Sequence, residues 1–169
     1  HAQSFLPGLV IAVAYYAAAQ FGISLAAFNQ QASVIWPPSG IAIASLLIFG
    51  RRLWPWVMLG AFFAEWSVPN PALTAFTIAI GNTLAAMTGA TLLRRYTPKR
   101  EYFESLQSVM GFLFCAALFS TMISASIGVA SLCAAGLQRW DEYGAIFLTW
   151  WLGDAGGALI VAPLILCWV

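Results

Sequence analysis

The sequence predicts an all-α fold, a polytopic integral membrane helical bundle of about six transmembrane helices. Composition is the first reason: 62% of the 169 residues are hydrophobic and 8% charged, against roughly a quarter charged in an ordinary soluble domain. So few charges cannot assemble a polar coat, and the surface faces lipid. The second reason is the recurrence of apolar runs that approach the ~20 residues needed to cross a bilayer. The third is the punctuation between them, made of polar patches, arginine pairs and prolines with no long polar linker. One domain, residues 1–169, is therefore expected. A net charge of +1 supplies no basic field of the kind nucleic-acid binders need.

The first span is 5–27. It is longer than the apolar core of a signal peptide, about 7–15 residues, and no basic residue precedes it. It ends in the polar patch Asn29, Gln30 and Gln31, while His1, at the head of the chain, is given no role. Spans two and three, 37–50 and 53–66, are divided by Arg51 and Arg52. At ~1.5 Å rise per residue each covers only about 21 Å, less than the ~30 Å hydrocarbon core. They extend into flanking residues, tilt little, or form a partly re-entrant hairpin, which is tolerated where backbone is buried in protein or lines a cavity. Span four, 71–93, starts on Pro71, whose missing N–H costs nothing in a first turn. It gives way to a predicted loop, Arg94-Arg95-Tyr96-Thr97-Pro98-Lys99-Arg100. Span five is 103–136 and span six 142–169.

With six spans, the Arg51/Arg52 turn and the 94–100 loop share one side and hold six of the seven basic residues, leaving Arg139 on the other. The positive-inside rule places the six, and with them both termini, in the cytoplasm. Span six reaches Val169 without a basic stop signal, so more sequence is expected beyond it. Trp54, Trp56, Trp66, Trp140 and Trp168 fall near predicted helix ends, as in an interfacial aromatic belt. Cys115, Cys133 and Cys167 stand singly in apolar runs, a pattern of small buried hydrophobes rather than of disulfides or metal ligands. No metal or cofactor is predicted.

The informative residues are the polar ones at membrane depth. Asp154 lies inside span six, in Thr149-Trp150-Trp151-Leu152-Gly153-Asp154-Ala155-Gly156-Gly157. A charged carboxylate there costs at least about 2.5–3.5 kcal/mol on insertion scales. It is either a hydrogen-bonded structural carboxyl that ties helices together or a ligand-facing or proton-coupled group in a polar cavity. For either role, Gly153, Gly156 and Gly157 strip side chains from the helix and permit close approach of another segment. Upstream, Trp36-Pro37-Pro38-Ser39-Gly40 predicts a sharp helix start, with Trp36 pushed toward extended geometry. It is a rigid turn with an interfacial Trp, or a helix N-terminus where an anionic or carbonyl-bearing group docks. Asn82, mid-span in Gly81-Asn82-Thr83, makes an interhelical hydrogen bond or a ligand contact. Glu65, one residue before Trp66, is near enough to a helix end to reach the interface.

In combination these blocks carry a resemblance. Trp36-Pro37-Pro38-Ser39-Gly40-Ile41-Ala42, Gly50-Arg51-Arg52-Leu53-Trp54-Pro55 with Leu59-Gly60-Ala61-Phe62, Gly81-Asn82-Thr83-Leu84, Trp150-Trp151-Leu152-Gly153-Asp154 and Val161-Ala162-Pro163-Leu164 resemble the MASE1 family of bacterial membrane-associated sensor domains. The blocks follow the family's order over nearly the whole chain. The resemblance implies a multi-pass input module of the bacterial inner membrane, joined at its cytoplasmic C-terminus to a histidine kinase, a diguanylate cyclase or a related output. It also implies about eight spans, of which this chain would hold the first six or be a shortened variant. Ala85 stands where the family pattern leads one to expect an acid; either Glu65 substitutes for it or the function of that acid is absent here.

The function expected is therefore sensory. A small-molecule, lipid or membrane cue would bind a cavity lined by Trp36, Ser39, Asn82, Trp150 and Asp154, with Glu65, Asn29, Gln31 and Trp151 as secondary candidates, and shift helix packing in a homodimeric full-length protein. Small-molecule transport, or service as a substrate-binding subunit, is the competing class, since transporters also place sites near the midplane at broken helices. A membrane anchor or oligomerisation domain is the third. An enzyme is not expected: there is no His-Glu-x-x-His helix, no Gly-x-Ser-x-Gly elbow and no second intramembrane aspartate.

Overall fold

A computed structural model describes residues 5–29, 35–97 and 102–168. Among the described residues there are six helices and no strand. Four are long and apolar enough to cross a membrane: α1 (Phe5–Asn29), α4 (Ala72–Tyr96), α5 (Leu106–Ala134) and α6 (Tyr143–Leu166). Between α1 and α4 lie two helices of 13 residues, α2 (Pro37–Phe49) and α3 (Trp54–Trp66). Each is about 20 Å long by its rise. The chain is an integral membrane helical bundle, and residues such as Leu6, Leu73, Leu106 and Leu164 present apolar side chains on its outside.

The shortest helices are the most central. α2 packs against α1, α4 and α6, and Ala42, Ile43, Ala44, Leu46 and Leu47 are at most 1% exposed. Apolar burial alone gives little drive in lipid, so close packing must hold the bundle together. α4 and α5 supply it with Ala75, Ala79, Ala90, Ala116, Ala117 and Ala125, all fully buried small residues that let backbones approach.

The start of α2 follows from its two prolines. Pro37 and Pro38 occupy the first two helical positions and have no N–H, so two donors that a helix start normally leaves without partners do not exist. The Trp36 N–H donates to the Gly153 carbonyl at 2.8 Å, and the Ser39 N–H to the Trp36 carbonyl at 3.2 Å. This satisfies the backbone at a depth where water is scarce. Gly153 sits in the middle of α6, so α2 begins roughly halfway along that helix and packs only on its C-terminal half.

Two elements differ from the sequence expectation. The predicted loop at Arg94 is still helix, because α4 runs to Tyr96. The Arg94 guanidinium turns inward and donates to the carbonyls of Leu46 and Leu47 at 3.0 and 2.7 Å. These are among the last carbonyls of α2, which lack intrahelical partners and sit at the negative end of the helix dipole. Span five begins at Leu106 instead of 103, after a turn at Tyr102 and Phe103, and Ser105 caps it with reciprocal Ser105–Ser108 bonds. It also contains a π-helical segment, Phe112–Phe119, which the hydrophobic run did not signal.

Candidate functional site

The half-length of α2 creates the site. Beside the N-terminal half of α6, where α2 is missing, there is a cavity of 520 Å³. Its walls include Ile23 of α1, Trp36, Glu65 at the end of α3, and Ile146, Trp150 and Asp154 of α6. Trp150 is fixed from behind by Gly128 of α5, where a Cβ would come within 2.7 Å of the indole. Trp36 is fixed through its backbone, by its bond to Gly153 and by the rigid Pro37 that follows.

Asp154 is 1% exposed. Its Oδ1 accepts from the Ser39 hydroxyl at 2.5 Å, whereas its Oδ2 is buried without a hydrogen-bond partner among the described residues. Ser39 is in the first turn of α2, so the group that docks at this helix N-terminus is a carboxyl of the same chain. The positive end of the helix dipole and the hydroxyl together offset part of the cost of a carboxylate at this depth. The glycines of α6 permit the approach. A Cβ on Gly157 would overlap the Trp36 carbonyl oxygen, and one on Gly40 would overlap the Gly157 carbonyl oxygen.

The five residues expected to line one cavity divide between two spaces. Trp36, Trp150 and Asp154 border the large cavity. Ser39 and Asn82 instead border a separate interior void of 10 Å³, which Asp154 also touches. That volume is about one water-sized probe. Asn82 makes the interhelical bond, its Oδ1 accepting from the Ser124 hydroxyl at 2.5 Å. Asp154 is thus the hinge of the arrangement, shared by the cavity and by the polar seam that joins α2, α4, α5 and α6.

The secondary candidates separate as well. Glu65 is buried, contrary to the expectation that it reaches the interface. Its carboxyl accepts a bond from Asn70 at 3.3 Å, lies within electrostatic range of Asp154 and borders the same cavity. Trp151 is committed elsewhere, since its indole N–H donates to the Leu118 carbonyl in the π-helical segment at 2.9 Å. Asn29 is the last residue of α1, and Gln31 lies outside the described residues.

Sequence reading missed Tyr15. It is 1% exposed, borders the interior void, and has Asn82 and Trp36 as polar neighbours. The signal was available in spacing: Ile11, Tyr15 and Ala19 recur every fourth residue and are all buried, whereas Tyr16 is exposed.

Comparison with known proteins gives one family: the MASE1 model matches residues 7–169. No curated relative and no solved structure matches the chain.

Proposed function

The chain belongs to the MASE1 family of membrane-associated sensory domains, and from that premise we propose that it perceives a small-molecule or lipid cue in the cavity between Trp36, Glu65, Trp150 and Asp154. The observation that carries the proposal is the double membership of Asp154. One of its oxygens is tied to α2 through Ser39, and the residue borders the cavity. A ligand contacting Asp154 therefore competes with, or reinforces, the bond that seats α2 on α6. The equilibrium moves only by the difference in affinity for the two packings. Asp154 lies 12 residues before Leu166, so a shift in α6 is delivered about 18 Å away at its C-terminal end.

In the cell we place the module in the bacterial inner membrane with both termini cytoplasmic. There α6 leads toward a kinase or cyclase output in a dimeric full-length protein. The two short helices then count as incomplete spans, α2 reaching the midplane from the side of Arg51 and Arg52. Cysteine labelling tests this orientation in a cysteine-free background. Arg139→Cys is expected to react with an impermeant maleimide in intact spheroplasts, and Arg52→Cys only after lysis; the reverse pattern inverts the topology.

Signalling by the full-length protein tests the cavity itself. Asp154→Asn and Trp36→Ala are expected to change output while membrane insertion, read by fractionation, is retained. Normal signalling by both variants would remove the cavity from the mechanism.

A further inference from the structure

We propose that the cavity takes a small organic cation, its ammonium group held by the Trp36 and Trp150 indoles and the Glu65 and Asp154 carboxylates. This rests on the cavity being the sensory site and adds the chemical class of the ligand.

Four observations carry it. Two carboxyl side chains border the cavity, and none of its lining residues is Lys, Arg or His. Among the described basic groups, Arg94 is engaged on the α2 carbonyls and Arg139 on Asp141 at 2.6 Å. Second, Asp154 Oδ2 is buried without a partner among the described residues. A buried charge or acceptor left in that condition is costly, and a cation in the cavity that Asp154 borders supplies a counter-charge. Third, two Trp residues border the same space, and an indole face is the best aromatic surface for a cation. The rings are held in place, Trp150 against Gly128 and Trp36 against Gly22 of α1, so little ordering is needed on binding.

The fourth observation is size. A cavity of 520 Å³ falls in the range of about 300–1,000 Å³ typical of small-molecule sites and is far larger than a bare metal ion requires. No three His, Cys, Asp or Glu side chains gather to form a metal cage among the described residues. The remaining walls, such as Ile23 and Ile146, are apolar and suit alkyl substituents on nitrogen. An anion would meet two carboxyls, and a neutral ligand would leave them uncompensated. The ammonium could arrive as a free solute or as the headgroup of an aminophospholipid.

The test uses the whole chain in phosphatidylglycerol nanodiscs and tritiated choline as probe, with two isosteres as competitors: neutral 3,3-dimethylbutan-1-ol and anionic 3,3-dimethylbutanoate. Saturable choline binding is expected, with the neutral isostere competing about tenfold less well than unlabelled choline, as a desolvated cation–π contact implies, and the anion not at all. Glu65→Gln and Trp150→Phe are each expected to weaken choline binding while size-exclusion profiles stay unchanged. Equal competition by the neutral isostere overturns the cation assignment and leaves a sensory cavity of another ligand class. Absence of choline binding to wild-type chain also overturns it, and the signalling of Asp154→Asn then judges the cavity separately. Repeating the titration with phosphatidylethanolamine in the nanodiscs identifies the source. Weakened choline binding assigns the site to the lipid headgroup and unchanged binding assigns it to the free solute, both within the ammonium class.

Discussion

The Ser39 hydroxyl donates to Asp154 Oδ1 at 2.5 Å across 115 positions of sequence, joining the first turn of α2 to the middle of α6. With Oδ2 already lacking a partner, Ser39→Ala removes the bond to Oδ1 and leaves Ser124 and Trp150 as the polar side chains beside the carboxyl. The cost expected is about 1–3 kcal/mol, the range for stranding a buried polar group. Asp154→Ala removes the acceptor that Ser39 bonds, so the double variant should be less destabilised than the sum of the two. The coupling is expected to be about 0.5–3 kcal/mol. Unfolding of the four proteins in mixed micelles measures it, and strict additivity would mean that the bond contributes nothing to the α2–α6 seam.

Gly157→Ala is expected to be among the most damaging single-methyl additions in the chain. Its Cβ would overlap the Trp36 carbonyl oxygen, a backbone atom fixed by the adjacent Pro37 and unable to swing aside. Overpacking of this kind typically costs about 1–3 kcal/mol. Gly144→Ala on the same helix is the control, because among the described residues no atom of another segment lies within 4 Å of its Cβ position. There the higher helix propensity of Ala should stabilise by up to about 1 kcal/mol. Thermal aggregation of the detergent-solubilised chain checks both, and equal melting of the two variants would show that α2 can retreat from α6.

Trp151→Phe separates the two adjacent tryptophans. Trp151 donates its indole N–H to the Leu118 carbonyl at 2.9 Å, inside the π-helical segment where the regular bonding ladder is altered. Losing that donor should lower stability by about 1–3 kcal/mol with little effect on choline affinity. Trp150→Phe should do the opposite. Melting and binding measured on both variants decide the point, and a Trp151→Phe loss of binding without a loss of stability would place that ring in the cavity.

How much of this was legible in sequence depends on the range of the cause. The start of α2 was readable because Pro37 and Pro38 act on their own backbone, and the glycines around Asp154 announced a close approach without naming the partner. The division of the site into two spaces was not readable. It arises because α2 starts halfway along α6, a relation between segments separated by more than a hundred positions. The nearness of Glu65 to the end of α3 suggests an interfacial side chain, whereas its burial comes with α1 and α4 packing against α3 and Asn70 bonding its carboxyl. Trp150 and Trp151 could have been separated, since neighbours on a helix point about 100° apart and only one of them can face the cavity. The misreading of Arg94 has a similar origin: a basic run looks like a loop, yet helical register carries its first member inward onto α2.

Arg94 therefore carries a prediction that distinguishes a structural charge from a topogenic one. Its neighbour Arg95 is exposed, and both count equally toward the positive side of the membrane. Arg94→Gln removes the charged donor from the Leu46 and Leu47 carbonyls, and a hydrogen bond to a charged group is worth about 1.5–3 kcal/mol. Arg95→Gln removes the same charge from the loop side without touching α2. Equal effects on orientation are expected, and with the other basic residues retained both effects should be small. Stability should fall for Arg94→Gln alone, and Arg94→Lys should recover only part of the loss because a single ammonium does not reproduce the planar guanidinium donor. Maleimide accessibility of Arg139→Cys reads orientation, and thermal melting in micelles reads stability. If Arg95→Gln melts as low as Arg94→Gln, the charge acts through the membrane potential or surface, and the cap on α2 is not what holds that helix in place.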